Sequence, residues 1–246
     1  MTALRLLTVT ETRLFLREWM NWAFVIGLPP LLLIILGAVP DLREPDPELG
    51  GLRAIDVYTP ILIAMAVCFL AFTSLPTVIA DYRAKGVLRR MRTTPVRPHA
   101  VLGAHLLMSL LISVLTLALL LVLSAVASDV ALPANPLGYL GTYLLMAASL
   151  FALGLLVAAL APSGQAASGI GTVLFFPVLF FGGLWVPREA MNDTLRTISD
   201  FSPLGAGVQS LQDASAGGWP QLVPLLVLVG WTLLAGGLAA RYFRWE

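Results

Sequence analysis

Apolar runs without a single charge divide this chain. Charged residues are absent from 19–40, 57–80, 98–128, 130–187 and 214–240. About 20 consecutive apolar residues suffice for a helix to cross a bilayer. The run 130–187 is too long for one helix and breaks at Ala161–Gln165, where Pro162 and Gly164 mark a turn. The pattern therefore predicts six transmembrane helices, at about 20–39, 57–80, 100–127, 137–161, 168–186 and 221–240. Residues 4–18 are compatible with a further helix at the membrane surface. Its apolar positions Leu6, Val9, Leu16 and Met20 share a side with Arg13, so the amphipathic pattern is imperfect. Trp19 and Trp22 stand where interfacial anchors are common.

Composition sharpens this reading. The 246 residues are 58% hydrophobic and 12% charged, against about 25% charged in a soluble domain. The chain reads as an all-α integral membrane protein with one transmembrane domain over residues 1–246. A charge at mid-membrane costs about 2.5–3.5 kcal/mol on insertion scales, and the predicted spans carry none. That argues against a proton relay or a charge-lined ion channel. Cys68 is the single cysteine and lies in an apolar run, which excludes an internal disulfide framework. His99 and His105 are the two histidines, and no span offers a metal-binding cluster. His105 reads as a polar residue hydrogen-bonded between helices, and His99 as an interfacial one.

Charge distribution orients the helices. The segments on the side of the termini hold eleven of the fifteen Lys and Arg residues, and the opposite segments hold four. By the positive-inside rule both termini face the cytoplasm, and the chain sits in the cytoplasmic membrane as a multi-pass protein.

Six of those basic residues crowd into 81–98, DYRAKGVLRRMRTTPVRP. Val87, Leu88 and Met91 form a short apolar stripe among Arg83, Lys85, Arg89, Arg90 and Arg92. Pro95 disfavours helical geometry at Thr94, which ends the helix. One reading is a topology signal held at anionic headgroups. The other is a docking element for a cytoplasmic partner. Nucleic acid does not suit so short a loop with Tyr82 as its one aromatic. The segment between the last two predicted spans holds a second amphipathic candidate, a helix at about 188–199. Met191, Leu195 and Ile198 lie on one face of it.

The loop, DYRAKGVLRRMRTTPVRPHAVLGAHLL, resembles the cytoplasmic loop of ABC-2 type permeases, the membrane subunits of one class of ABC exporter. Asp81, Arg83, Gly86, Leu88, Arg89, Thr94, Pro95 and Val96 match that family's pattern, and Ala84 departs from it where a Glu is frequent. Residues 180–212 are similar to the family's segment after span five, through Phe181, Gly183, Pro187, Pro203 and Leu204. The resemblance implies that the loop is a coupling helix meeting an ATPase subunit, through Arg83, Lys85, Gly86, Leu88, Arg89, Arg90, Arg92, Thr94 and Pro95. It implies export, two permease chains, identical or paired with a sister, and an interfacial helix at the N-terminus. The chain has no GxxxxGK[ST] phosphate loop, so it is expected to be no enzyme and to hold no cofactor. ATP and Mg would belong to the separate ATPase.

In the resembling family, spans two and five face each other across a dimer axis. Here they offer Met65, Phe69, Phe72 and Thr73, and Phe175, Phe176, Phe180 and Phe181. Aromatic and Met side chains present large adaptable apolar surfaces, so these are the expected lining of a path for a drug, antibiotic or lipid. A polysaccharide or lipid-linked glycan exporter, a motor-independent transporter and a membrane-anchored assembly protein stay open as alternatives.

Overall fold

The computed structural model describes residues 2–49, 51–87, 90 and 98–243. It is an all-α bundle. Helix α1 (Thr2–Arg17) is followed by a short turn at Trp19–Trp22 and then by α2 (Ala23–Ala38), α3 (Ala54–Ala84), α4 (Pro98–Ser128), α5 (Pro136–Leu160) and α6 (Gly164–Phe181). Two shorter helices, α7 (Asp193–Phe201) and α8 (Pro203–Ser215), precede the final α9 (Leu222–Tyr242). A two-residue hairpin, β1 (Pro45–Asp46) with β2 (Leu52–Arg53), pairs antiparallel between α2 and α3, with Pro45 opposite Arg53. Among the described residues, five helices are long and apolar enough to cross a membrane: α3, α4 over Ala100–Ser128, α5, α6 and α9. The stretch expected to span at 20–39 forms the shorter α2.

Helix α3 is the axis of the bundle. Almost every position from Ala54 to Cys68 is buried, and α2, α4, α5, α6 and α8 all pack on it. Lipid supplies no hydrophobic force between helices, so close van der Waals packing and small residues must hold them. A π-turn at Leu70–Ser74 supplies the key contact. Pro76 follows it, and a proline ring clashes with the carbonyl four residues earlier, here Phe72. The widened turn relieves that clash and pushes the Ala71 and Phe72 carbonyls outward. Gly154 of α5 and Gly171 of α6 receive them, and a methyl group on either glycine would collide with those oxygens. A second π-turn, Ala23–Gly27, precedes Pro29 and Pro30 in α2 for the same reason.

Two expectations need correction. The segment 187–220 carries two helices where one was predicted. The first begins at Asp193, after a 3-10 turn at Arg188–Ala190. The second, α8, is buried through Leu204, Ala206, Val208, Leu211 and Ala214, packed on α5, α9 and α3. Its start is a capped one: the Ser202 hydroxyl accepts from Gly205 N at 3.0 Å, and Pro203 occupies the first turn. Gly205 and Gly207 admit the Ser199 carbonyl and Met146 at close range.

The second correction concerns α1. Its buried side is Thr8, Glu11 and Phe15, facing α4, while Leu6, Val9 and Leu16 are exposed. A helix beside lipid turns its leucines outward and its polar groups toward protein, the reverse of a soluble amphipathic helix.

Candidate functional site

Three apolar helices converge on one aromatic file. Phe24 of α2 stacks flat on Phe69 of α3, with centroids 5.2 Å apart. Phe69 meets Phe175 of α6 edge-on at 5.9 Å, and Phe175 meets Phe176 at 5.7 Å. Trp185, in the turn after α6, closes the file 6.1 Å from Phe176. Offset and edge-to-face pairs of this kind each add about 0.5–1.5 kcal/mol beyond area burial.

These rings wall a groove of about 350 Å³, to which Leu28, Met65 and Thr73 also contribute. It is almost wholly apolar. Its two hydroxyls are turned back onto their own helices: Thr73 donates to Phe69 O at 2.6 Å, and Thr172 to Ser168 O at 2.8 Å. An occupant of this groove is held by contact and dispersion, with few hydrogen bonds to recognise it.

A second groove, about 690 Å³, lies on the other side of α6. Phe72, Pro177 and Phe181 line it with Ile198 and Phe201 of α7 and Trp231 of α9. The indole N–H of Trp231 donates to Phe201 O at 2.9 Å and ties α9 to the corner between α7 and α8. The eight predicted path residues therefore do not share one surface. Met65, Phe69, Thr73, Phe175 and Phe176 line the first groove; Phe72 and Phe181 line the second. Phe180 packs edge-on against Phe181 at 5.4 Å and is in neither lining.

At the opposite end of α3 the backbone turns. Gly86 takes a positive φ of 67°, a conformation that costs glycine nothing, and it stops the helix. The predicted surface helix thus does not include Arg83 and Lys85, which belong to the end of α3 and its cap. Beyond Gly86, Arg90 N donates to Gly86 O at 3.0 Å. The Arg90 guanidinium folds back onto Lys85 O at 3.0 Å. Leu88, Arg89, Arg92, Thr94 and Pro95 lie outside the described residues.

Arg83 and Asp81 grip the turn between α5 and α6. Arg83 Nη1 donates to Ala159 O at 3.0 Å, and its Nη2 donates to Ala161 O. Asp81 Oδ1 accepts from Gly164 N at 3.1 Å, and its Oδ2 pairs with Lys85 Nζ at 2.8 Å. The cation thus sits at a helix C-terminus and the carboxylate at a helix N-terminus, each where the helix dipole favours it. The backbone is so close that a side chain at Gly164 would collide with Asp81. The arrangement makes the last turn of α3 and the α5–α6 turn one mechanical unit.

Beside this clamp is a polar network that joins α1 to the bundle. Glu11 Oε2 lies 3.0 Å from His105 Nδ1, and Glu11 Oε1 accepts from the Tyr82 hydroxyl at 2.9 Å. Glu11 and His105 are both buried. His105 is hydrogen-bonded between helices, as its isolation in an apolar run suggests. The carboxylate comes from outside the predicted spans, so the charge-free runs gave no sign of it. Phe24 and Trp185 were likewise missed, although aromatics at a span edge and after a Gly-Gly pair were a usable signal.

The family model described as ABC-2 type transporter matches residues 2–215. A putative transport permease of Bacillus subtilis is 29% identical over 190 residues, covering 74% of this chain and 76% of the relative. A daunorubicin resistance ABC transporter permease protein of Streptomyces coeruleorubidus is 27% identical over 193 residues, 76% of this chain and 68% of that protein.

Proposed function

The chain belongs to the ABC-2 type transporter family, and from that premise we propose that it is the permease of an ATP-driven exporter for lipophilic or amphipathic molecules. It works with a separate ATPase and with a second permease chain, both termini in the cytoplasm. The observation that carries this reading is the aromatic file across α2, α3 and α6. It walls a groove whose few hydroxyls are already satisfied. Sugars need hydrogen-bonding partners that this wall lacks, so a drug or lipid fits better than a glycan. The resistance named for the Streptomyces relative supports the same class of cargo.

The chain's own residues suggest how force reaches the groove. A motor docked on the loop that follows Gly86 pushes on the end of α3. The Arg83–Asp81 clamp carries that displacement to the α5–α6 turn. Helices α3 and α6 then shift together, and Phe69 and Phe175, which touch across them, move with the groove wall.

The test is co-expression with a separately encoded ATPase, with purification through a tag on this chain. An Arg89→Glu, Leu88→Asp variant should lose the ATPase. Phe175→Ala should keep the ATPase and lose most export of a lipophilic cationic dye from inverted vesicles. An ATPase retained equally by both chains would sink the docking role of the loop. Dye export without any ATPase would return the motor-independent alternative.

A further inference from the structure

We propose that a cavity at the start of α3 binds a small polyhydroxylated group, a sugar ring or its equivalent. The cavity, about 270 Å³, lies at the end of α3 away from Gly86 and just under the usual range for ligand pockets, about 300–1,000 Å³. Its wall is drawn from β2, α3, α4 with the connection after it, α5 and α8. The one guanidinium in that wall is committed. Arg53 Nε and Nη2 donate to the two carboxylate oxygens of Asp56 at 2.7 and 2.8 Å, and Nη2 also reaches Asp129 O at 3.1 Å.

Tyr139, in the first turn of α5, carries the inference. It is 3% exposed, and a buried tyrosine hydroxyl ordinarily finds a partner. This one has none among the described residues. Nor is its oxygen among the unpaired polar atoms that are sealed from open space. The ring is buried and its hydroxyl is left open, and the open space that Tyr139 lines is this cavity.

Further groups stay free around it. Gln212 and Ser215 of α8 line the cavity, are half-buried, and have no side-chain partner among the described residues. The Asp129 carboxylate accepts no hydrogen bond from them either. Pro60 has no N–H, so the Asp56 carbonyl lacks the amide four residues on, and both residues line the cavity. The phenol, the amide and the hydroxyl donate; the carboxylate and the carbonyl accept. A cation would leave three donors idle. A sugar hydroxyl donates and accepts at once, so a ring of them uses both kinds. Leu121, Val130 and Pro133 supply an apolar wall for its C–H face. A soluble sugar and a glycolipid headgroup share this chemistry. The cavity has no lining residue in common with either aromatic groove, so the inference does not depend on the transport reading.

Equilibrium dialysis of the full chain tests it, in lauryldimethylamine oxide because a maltoside headgroup would compete. Tritiated methyl glucoside, methyl galactoside and methyl mannoside are the probes. At least one should bind saturably, with one site per chain. Tyr139→Phe removes a single oxygen and should weaken that binding about twofold to tenfold, while leaving the ligand-free Tm unchanged or higher. Gln212→Ala should weaken it by a similar factor. A short-chain glycosyl diacylglycerol that displaces the label at lower concentration than the free methyl glycoside identifies a lipid headgroup; equal or weaker displacement identifies a soluble sugar. The proposal is overturned if none of the three probes binds saturably, or if Tyr139→Phe and Gln212→Ala both bind as wild type does.

Discussion

Replacing Arg83 by Met tests the clamp most directly. Met keeps most of the aliphatic stem and removes both donors to the α5–α6 turn. A hydrogen bond to a charged group contributes about 1.5–3 kcal/mol. A cation in the last turn of a helix adds about 0.3–1 kcal/mol. Arg83 is half-buried, and water can replace part of what is lost, so a net loss of about 2 kcal/mol is expected for the pair of bonds. That is roughly a thirtyfold rise in the unfolded population. Asp81→Asn, which keeps an acceptor for Gly164 N but removes the charge, should cost about 0.5–1 kcal/mol. Both residues grip one turn, so the double variant should depart from additivity. Denaturant titration of the purified chain in mixed micelles reads these values. A second readout separates strut from scaffold: at a temperature where Arg83→Met is folded, it should still bind the ATPase but export dye at least several-fold more slowly. Wild-type stability together with wild-type export in Arg83→Met would refute the reasoning.

Three further expectations concern other parts of the fold. Gly171→Ala forces a methyl into the Phe72 carbonyl; a loss of about 1–3 kcal/mol or more is expected, read as a lowered Tm and poor monodispersity, while Gly169→Ala, with open space around it, should be silent. Phe72→Ala should cost about 3–5 kcal/mol because the ring is buried, whereas Phe176→Ala, half-exposed, should alter dye export far more than Tm. Asp213 on α8 has its carboxyl held above the usual range, by burial first, with a backbone hydrogen bond from Gln221 and the charge of Arg188 opposing. A raised folded pKa means the folded state binds the proton more readily, so its penalty is absent at low pH and grows as pH rises through the folded value. Asp213→Asn should therefore leave stability unchanged or higher at pH 7 and flatten the pH dependence just above the ordinary carboxylate range; a loss of stability at pH 7 would contradict it.

Much of this protein was legible as a line of letters, for physical reasons. Mid-membrane charge is expensive, so apolar runs had to mark the helices, and Gly with Pro had to mark the α5–α6 turn. Family membership was legible because the loop from Asp81 to Val96 and the segment 180–212 both matched the family's pattern, each in its place between spans. What Asp81 and Arg83 do was not. Arg83 looked like a surface charge on a docking helix, and the structure turns it, with Asp81, inward onto the backbone of the next helical pair. No local pattern encodes that, since the carbonyls and the amide they meet are about 80 residues away.

The phenylalanines show the same division. Run length and residue type selected the phenylalanines of α3 and α6, but the π-turn before Pro76 sets which way each ring points. It adds a residue to one turn and rotates everything beyond it, so Phe69 and Phe72 face different grooves. The buried α8 was hidden because a helix of 13 residues is too short to read as a span. Glu11 was hidden because a charge on an N-terminal surface helix is ordinary until that helix packs against His105. Composition and hydropathy alone therefore determined a multi-helix membrane protein and its set of apolar helices. Tertiary contact alone decided which polar groups are buried together, because burial belongs to pairs of helices and no single helix carries it.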